Sequence, residues 1–237
     1  PTLKSFSPIV CSPDCQEFLH MVDSMAAYLK MPMDQDMVLR PRDLLLAHRE
    51  VLSQCGGREK GLRVVEIANK FPRVEAVLAS IKEKYEYVGK TFSIVVPEKI
   101  EQIIEEGQAL KHCLDRSDRY FERIANQESY IVFLRRTKAM EQPYYTLEIE
   151  PDGTTRQKRT VGDNQNNDYH RAEKFLKKWQ AAIRPRLSQE DFERQEISRQ
   201  LRMYELESLR NDKVTVHGGI HAGELLADIL EADLMEA

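Results

Sequence analysis

The chain has 237 residues, of which 41% are hydrophobic and 31% are charged, and its formal net charge at pH 7 is -4. These values are typical of a globular protein with a hydrophobic core, much solvated surface and long charged helices. The near balance of 35 basic and 39 acidic residues excludes a uniformly basic nucleic-acid coat protein, although it allows local basic patches. The 4 irregularly spaced cysteines exclude a disulfide scaffold.

No segment of the sequence suggests export or a membrane. No apolar run approaches the roughly 20 residues of a membrane-spanning helix, and no signal peptide is recognisable. We therefore expect a cytoplasmic protein with reduced thiols and no membrane partner. Because the sequence begins at Pro1 rather than at methionine, we also expect a fragment or a processed form of a longer protein.

Residues 1–89 are predicted to form a helical amino-terminal region. Apolar residues at helical spacing indicate helices over residues 14–30, from Pro41 to Gly56, and over residues 58–86. Pro32 would end the first of these helices, and Pro72 should kink or split the third.

Residues 90–184 are predicted to form an α+β core. Runs of β-forming residues indicate strands over Thr91–Val96, Tyr130–Arg136, Tyr144–Glu150 and Thr155–Val161. Helices are expected over residues 117–127 and 168–184, and a further helix that begins at Pro97 could end at Gly107 or continue to Cys113. The predicted fold class is α+β, predominantly helical, with a small central antiparallel sheet of three or four strands.

The sequence Pro-Asp-Gly at residues 151–153 predicts a tight turn between the last two strands. Proline presets its backbone angle, aspartate hydrogen-bonds locally and glycine supplies a left-handed position. A three-residue loop pairs Glu150 with Thr154, Glu148 with Arg156 and Thr146 with Lys158. In this register Glu148 and Gln157 point to opposite faces of the sheet, unless a bulge at the turn changes the pairing.

The carboxy-terminal part is predicted to contain one long helix and a tail. Ser188 can cap a charged helix that extends to about Arg210, so residues 185–211 form a separate helical segment. Residues 212–237 contain glycines followed by an acidic amphipathic stretch. We expect this tail to be mobile or to dock only weakly.

Four blocks of the core carry a distinctive pattern. The run Glu106–Leu114 fits Glu-Gly-x-x-Leu-x-His-Cys, Ile131–Arg135 fits Ile-x-x-Leu-Arg, Pro143–Ile149 fits Pro-x-x-Thr-Leu-Glu-Ile, and Gln157, Gly162 and Asn164 form the last block. In this order and spacing, the blocks resemble the PcfJ-like family over about residues 90–180. The resemblance implies an accessory protein of conjugative plasmids, integrative elements or phages, and it carries no known catalytic mechanism.

The polar residues of these blocks are candidates for a binding or catalytic pocket. The candidate catalytic residues are His112 and Glu148, and the candidate ligand-binding residues are Arg135, Gln157, Asn164 and Cys113. Arginine suits phosphate or carboxylate, and Glu148 could orient a ribose hydroxyl or act as a general base. Adjacent residues on a helix point about 100° apart, so His112 and Cys113 alone are a poor nucleophile–base pair. The alternative is a structural network in which Glu148 pairs with Arg135 or Arg156.

A basic stretch is the second candidate site. Its candidate nucleic-acid-binding residues are Lys158, Arg159, Lys174, Lys177 and Lys178, with Tyr169 and Trp179 nearby. The alternative is an ordinary solvated helix face.

No metal or cofactor is predicted. Cys11, Cys15 and His20 lack the spacing of a zinc site, and two glycines between His217 and His221 disfavour a helical ligand pair.

The leading interpretation is an accessory protein of a mobile element that binds DNA, RNA or other proteins of that element. The alternative is an enzyme that acts on a nucleotide or nucleic acid through the polar pocket.

Overall fold

The computed structural model describes residues 60, 61, 63–163, 169–216 and 221–237. The chain divides into two compact units, Pro1–Arg63 and Val64–Ala237. The helices predicted over residues 14–30 and from Pro41, together with Asn164, lie outside the described residues.

The helices of the second unit follow the sequence pattern closely. Residues 64–70 are helical, Pro72 lies in a turn, and helix α1 follows, so the predicted break is confirmed. The helices are α1 (Val74–Tyr85), α2 (Ile100–Leu110), α3 (Arg119–Ala125), α4 (Tyr169–Ile183), α5 (Gln189–Asn211) and α6 (Leu226–Asp233). Each helix of the described residues is too short or too polar to cross a membrane.

One antiparallel sheet lies among these helices, which confirms the α+β class. Its strands are β1 (Tyr87–Val88), β2 (Phe92–Val95), β3 (Tyr130–Arg136), β4 (Tyr145–Ile149) and β5 (Thr155–Arg159), in the order β1-β2-β3-β4-β5. Within the described residues the sheet therefore has five strands rather than three or four. The extra strand, β1, has only two residues, and a segment that short shows no alternation from which to predict it.

Helix α2 ends at Leu110, between the two expected positions. Lys111 adopts a left-handed conformation with φ 55°, which stops the helix. Gly107 lies inside the helix, and a larger residue would not fit there, because a Cβ would be 2.7 Å from the backbone nitrogen of Asp115. That glycine allows the following turn, Cys113–Asp115, to fold back against α2.

The two faces of the sheet differ in chemistry because neighbouring residues of a strand point to opposite sides. We call the side formed by Tyr130, Val132, Leu134, Tyr145, Leu147 and Ile149 the apolar face, and the side formed by Ile131, Phe133, Arg135, Thr146, Glu148, Gln157 and Arg159 the polar face. Helix α4 covers the apolar face with fully buried Leu176, Trp179 and Ile183. The Trp179 indole nitrogen donates to the carbonyl of Tyr85 at 2.8 Å, so α4 is also tied to the end of α1.

The hairpin register differs from the prediction beyond the turn. The backbone nitrogen of Glu150 donates to the carbonyl of Thr154 at 2.8 Å, as expected. A bulge then shifts the pairing, so that Glu148 lies opposite Gln157 and Thr146 opposite Arg159. The predicted Glu148–Arg156 register is therefore wrong, and Arg156 is the extra residue of the bulge.

The carboxy-terminal region begins as predicted and then departs from expectation. The Ser188 hydroxyl accepts a hydrogen bond from the backbone nitrogen of Asp191, which caps α5. Beyond α5, Ala227 in α6 is fully buried, and Met235 exchanges two backbone hydrogen bonds of 2.9 Å with Thr155. The described part of the tail is therefore packed on the domain rather than weakly docked, and whether it is mobile stays a prediction.

Candidate functional site

A buried charge network lies at the centre of the polar face. Glu148 is 2% exposed and accepts hydrogen bonds from the Arg123 guanidinium at 2.8 Å, the Ser129 hydroxyl at 2.6 Å and the Gln157 amide at 3.1 Å. The Arg156 guanidinium lies 3.6 Å from the same carboxylate. A buried carboxylate is stable only with such partners, and here both of its oxygens have them.

The network keeps Glu148 ionised. Burial alone would raise the pKa of Glu148, but the nearby Arg123 and Arg156 outweigh burial and hold the pKa below its usual value. A carboxylate with a lowered pKa is a weak proton acceptor. The geometry therefore favours an anchoring role for Glu148 over the predicted role of general base.

The same network attaches α5 to the sheet. The Arg156 guanidinium donates to Glu150 at 2.6 Å, to Glu128 at 2.8 Å and to the carbonyl of Ser198 in α5 at 2.8 Å. Arg202 of α5 adds a bond of 2.8 Å to Glu150. The bulge is what directs Arg156 into this network.

Arg135 belongs to a separate cluster. Its guanidinium makes two bonds of 2.7 and 2.5 Å to the carboxylate of Glu106, so it pairs with α2 rather than with Glu148. The Thr146 hydroxyl lies 3.5 Å from Glu106 and 3.0 Å from the Nε2 atom of His112. This chain of contacts fixes the position of the His112 ring.

A cleft of about 610 Å³ opens on the polar face. The floor of the cleft is formed by residues of the sheet: Ile131, Thr146, Glu148, Gln157 and Arg159. One wall comes from the segment after α2 and the start of α3: Lys111, His112, Cys113, Leu114, Ser117, Arg119 and Tyr120. The other wall comes from later parts of the chain: Gly162, Glu205, Val216, His221, Leu226, Ile229 and Leu230. The structure thus brings His112, Cys113, Glu148 and Gln157 into one concavity. Arg135 is described by the structure but is not part of the lining.

The sequence left open whether this helix continues to Cys113, and in the structure His112 and Cys113 lie beyond its end. The left-handed Lys111 separates them from α2, and His112 has an extended backbone. His112 is buried, whereas Cys113 is exposed with its Sγ atom 3.6 Å from the Tyr120 hydroxyl. Burial, aided by the neighbouring thiol, raises the pKa of Tyr120, so this phenol stays protonated.

The predicted basic residues do not share one surface. Lys174, Lys177 and Lys178 are exposed on α4. Lys158 points to the apolar face, where it is 3% exposed and lies 3.6 Å from Glu173, and Arg159 points to the polar face and pairs with Asp233. Strand alternation explains the split, since Lys158 and Arg159 are neighbours in β5.

Sequence reasoning missed Glu106, Arg123 and Ser129. A signal existed for Glu106, because it is spaced three residues after Ile103 and four before Leu110 and so occupies a buried stripe of α2. Arg123 and Ser129 carry no such signal. Their role depends on where α3 meets the sheet.

The fold and the site define an α+β domain with an internal ion network and a cleft on one side of an antiparallel sheet. The chain belongs to the PcfJ-like protein family, whose model matches residues 18–173. This finding confirms the family suggested by the four sequence blocks.

A curated relative is the uncharacterized protein Lin1253/Lin1744 of Listeria innocua serovar 6a. It is 21% identical over 156 residues, which cover 66% of this chain and 32% of the Listeria protein. The chain thus spans about a third of that relative's length. No solved structure matches the chain.

Proposed function

We propose that the chain is a cytoplasmic accessory protein of a mobile genetic element and that it binds DNA or RNA through the α4 basic surface. We define this surface as Arg171, Lys174, Lys177 and Lys178, all exposed. Membership of the PcfJ-like family supports the link to mobile elements. The observation that carries the binding proposal is that four exposed cations lie along α4, while the acidic residue of that helix, Glu173, pairs with Lys158.

The acidic residue of α4, Glu173, borders the basic surface, four residues before Lys177, but its carboxylate already has cationic or polar neighbours. Glu173 lies 3.6 Å from buried Lys158 and 3.4 Å from the ring of His170. The opposite side of the helix is buried through Ala172, Leu176 and Trp179. The exposed side therefore presents cations on a rigid support.

The size of this surface suits contact with several phosphates. Lys178 is seven positions after Arg171, which corresponds to about 10 Å along a helix. Duplex DNA carries one negative charge per roughly 1.7 Å of axis, so a few phosphates lie within this reach. Such contacts bind without sequence preference and weaken as salt increases.

The test measures binding of fluorescent single- and double-stranded DNA and RNA oligomers by anisotropy across a salt series. We expect the triple variant Lys174→Glu, Lys177→Glu, Lys178→Glu to lose binding at low salt. Milder neutralisation to glutamine should reduce the slope of log affinity against log salt by about 2–3, since each phosphate contact contributes roughly 0.7–0.9.

Two controls separate a specific surface from net charge. The triple variant Lys138→Glu, Arg199→Glu, Lys213→Glu changes the net charge equally at exposed sites elsewhere. Lys158→Met removes a buried cation beside α4. Both should keep near wild-type affinity, and the proposal fails if wild type does not bind or if the first control loses binding equally.

An enzyme that acts on a nucleotide or nucleic acid is the second candidate, because four of the predicted pocket residues line one cleft. Turnover of a nucleotide or oligomer that disappears in His112→Gln would support it. The absence of turnover would leave the cleft a binding site only.

A further inference from the structure

We propose that the cleft on the polar face binds a small organic phosphate with a flat apolar body, the chemical class of nucleoside monophosphates. This site is distinct from the α4 basic surface, because the cleft lies on the other side of the sheet. A volume of about 610 Å³ is within the usual range for pockets that enclose small ligands.

One end of the cleft is suited to the phosphate. Arg159 lies directly opposite Thr146 on the neighbouring strand, and the Nε2 atom of His112 lies 3.0 Å from the Thr146 hydroxyl. Arg159 and His112 therefore flank the same threonine, and exposed Lys111 adjoins His112. Arg159 already pairs with Asp233, but a guanidinium has five donors and can serve a second anion.

The acidic residues of the lining do not oppose an anion strongly. Arg123 bonds to both Glu148 and Glu205, and Arg119 adds a second ion pair to Glu205. These carboxylates are thus neutralised in place. The charge of Lys111 remains available at the rim of the cleft.

The other end of the cleft is suited to a flat apolar body. Glu148 lies two residues after Thr146 in β4, so the two residues are about 7 Å apart along the strand. On the adjacent strands, Ile131 and Gln157 lie on either side of Glu148. Ile131 provides an apolar floor, and Leu226, Ile229 and Leu230 line the facing wall. The Gln157 amide is held by Glu148 at 3.1 Å, which fixes its direction for a ligand.

The experiment uses the exposed thiol of Cys113 as a reporter. Each of the four common ribonucleoside 5′-monophosphates is titrated into the wild-type chain, and alkylation of Cys113 by N-ethylmaleimide is followed by peptide mass spectrometry. Calorimetry measures the affinity in parallel. We expect a nucleotide to slow labelling of Cys113 at least tenfold.

Two further arms test each end of the proposed site. Inorganic phosphate and the matching nucleoside, added singly, should each bind at least tenfold more weakly than the nucleotide. Lys111→Asn and Arg159→Gln should each weaken nucleotide binding about tenfold or more, since charge-assisted hydrogen bonds are lost. Asparagine tolerates the left-handed backbone of residue 111, so the first variant should fold normally.

Arg199→Gln serves as the matched control on the exposed side of α5 and should leave nucleotide affinity unchanged. The proposal is overturned if no nucleotide at millimolar concentration protects Cys113 or gives heat of binding. It is also overturned if inorganic phosphate binds as tightly as the nucleotides, because the apolar end would then contribute nothing.

Discussion

The two faces of the sheet hold their helices by different forces, although both are built from the same strands. On the apolar face, Leu176, Trp179 and Ile183 are excluded from water and contribute through buried area. On the polar face, Glu148 and Arg156 contribute through directed contacts, each with several partners. A buried apolar surface tolerates substitutions that conserve volume but not the loss of a large side chain, whereas in a charge network the removal of one partner leaves a buried charged group unpaired.

The largest expected effect concerns the apolar face. Trp179→Ala should lower the free energy of unfolding by about 3–5 kcal/mol, because it leaves a large cavity under α4. Urea denaturation followed by far-ultraviolet circular dichroism measures the change, since the variant lacks the single tryptophan. Lys177→Ala, on the exposed side of the same helix, should unfold close to wild type. Equal loss in both variants would contradict the packing described for α4.

A smaller effect is expected on the polar face. Glu148→Gln should lower the free energy of unfolding by about 1.5–3 kcal/mol, because it weakens bonds from Arg123 and leaves a buried cation undercompensated. Glu207→Gln, at an exposed position of α5, is the control and should have little effect.

The Glu148 difference should also depend on pH. The folded pKa of Glu148 is lowered, so its stabilising contribution is present above the unfolded value of about 4.3 and disappears as the pH falls through the folded pKa. Unfolding curves of wild type and Glu148→Gln should therefore converge in acid. A difference that stays constant into strong acid would show that the carboxylate charge is not the stabilising group.

The carboxy-terminal tail gives the next smaller effect. Deleting Met235–Ala237 removes two backbone bonds to Thr155 and should lower the free energy of unfolding by about 1–3 kcal/mol. Hydrogen exchange of the Thr155 amide should become much faster in the truncated chain. If exchange at Thr155 is already fast in wild type, the tail is mobile, as the sequence predicted.

The smallest effect is expected at Lys158. Burial lowers the pKa of this lysine, and its partner Glu173 keeps contact with solvent, so the ion pair contributes little. Lys158→Met should leave the free energy of unfolding within about 1 kcal/mol of wild type or increase it. Lys158→Glu, which places two carboxylates together, should unfold far more easily than Lys158→Met.

Local signals in the sequence predicted much of the fold. Strand β3 has the predicted bounds, Pro72 breaks the helix before α1, and Ser188 caps α5. Each of these depends on residues close together in the chain, and their backbone preferences act locally.

The charge partners could not be predicted in the same way. The sequence favoured Arg135 or Arg156 as the partner of Glu148, and the structure pairs Arg135 with Glu106 while Arg123 joins Arg156 at Glu148. Which pair forms depends on where α2 and α3 meet the sheet. A bulge of one residue then decides whether Gln157 shares the face of Glu148, and sequence alone does not determine that register.

The bridge between Met235 and Thr155 has a consequence for association between molecules. The outer strand of a sheet can recruit a strand from another chain, and proteins avoid this by shortening, charging or covering that strand. Here Met235 occupies both backbone groups of Thr155, Asp233 at the end of α6 pairs with Arg159 of β5, and the opposite border of the sheet is the two-residue β1. Both borders are thus protected against edge-to-edge aggregation, and removing the terminal residues would open the first route to it.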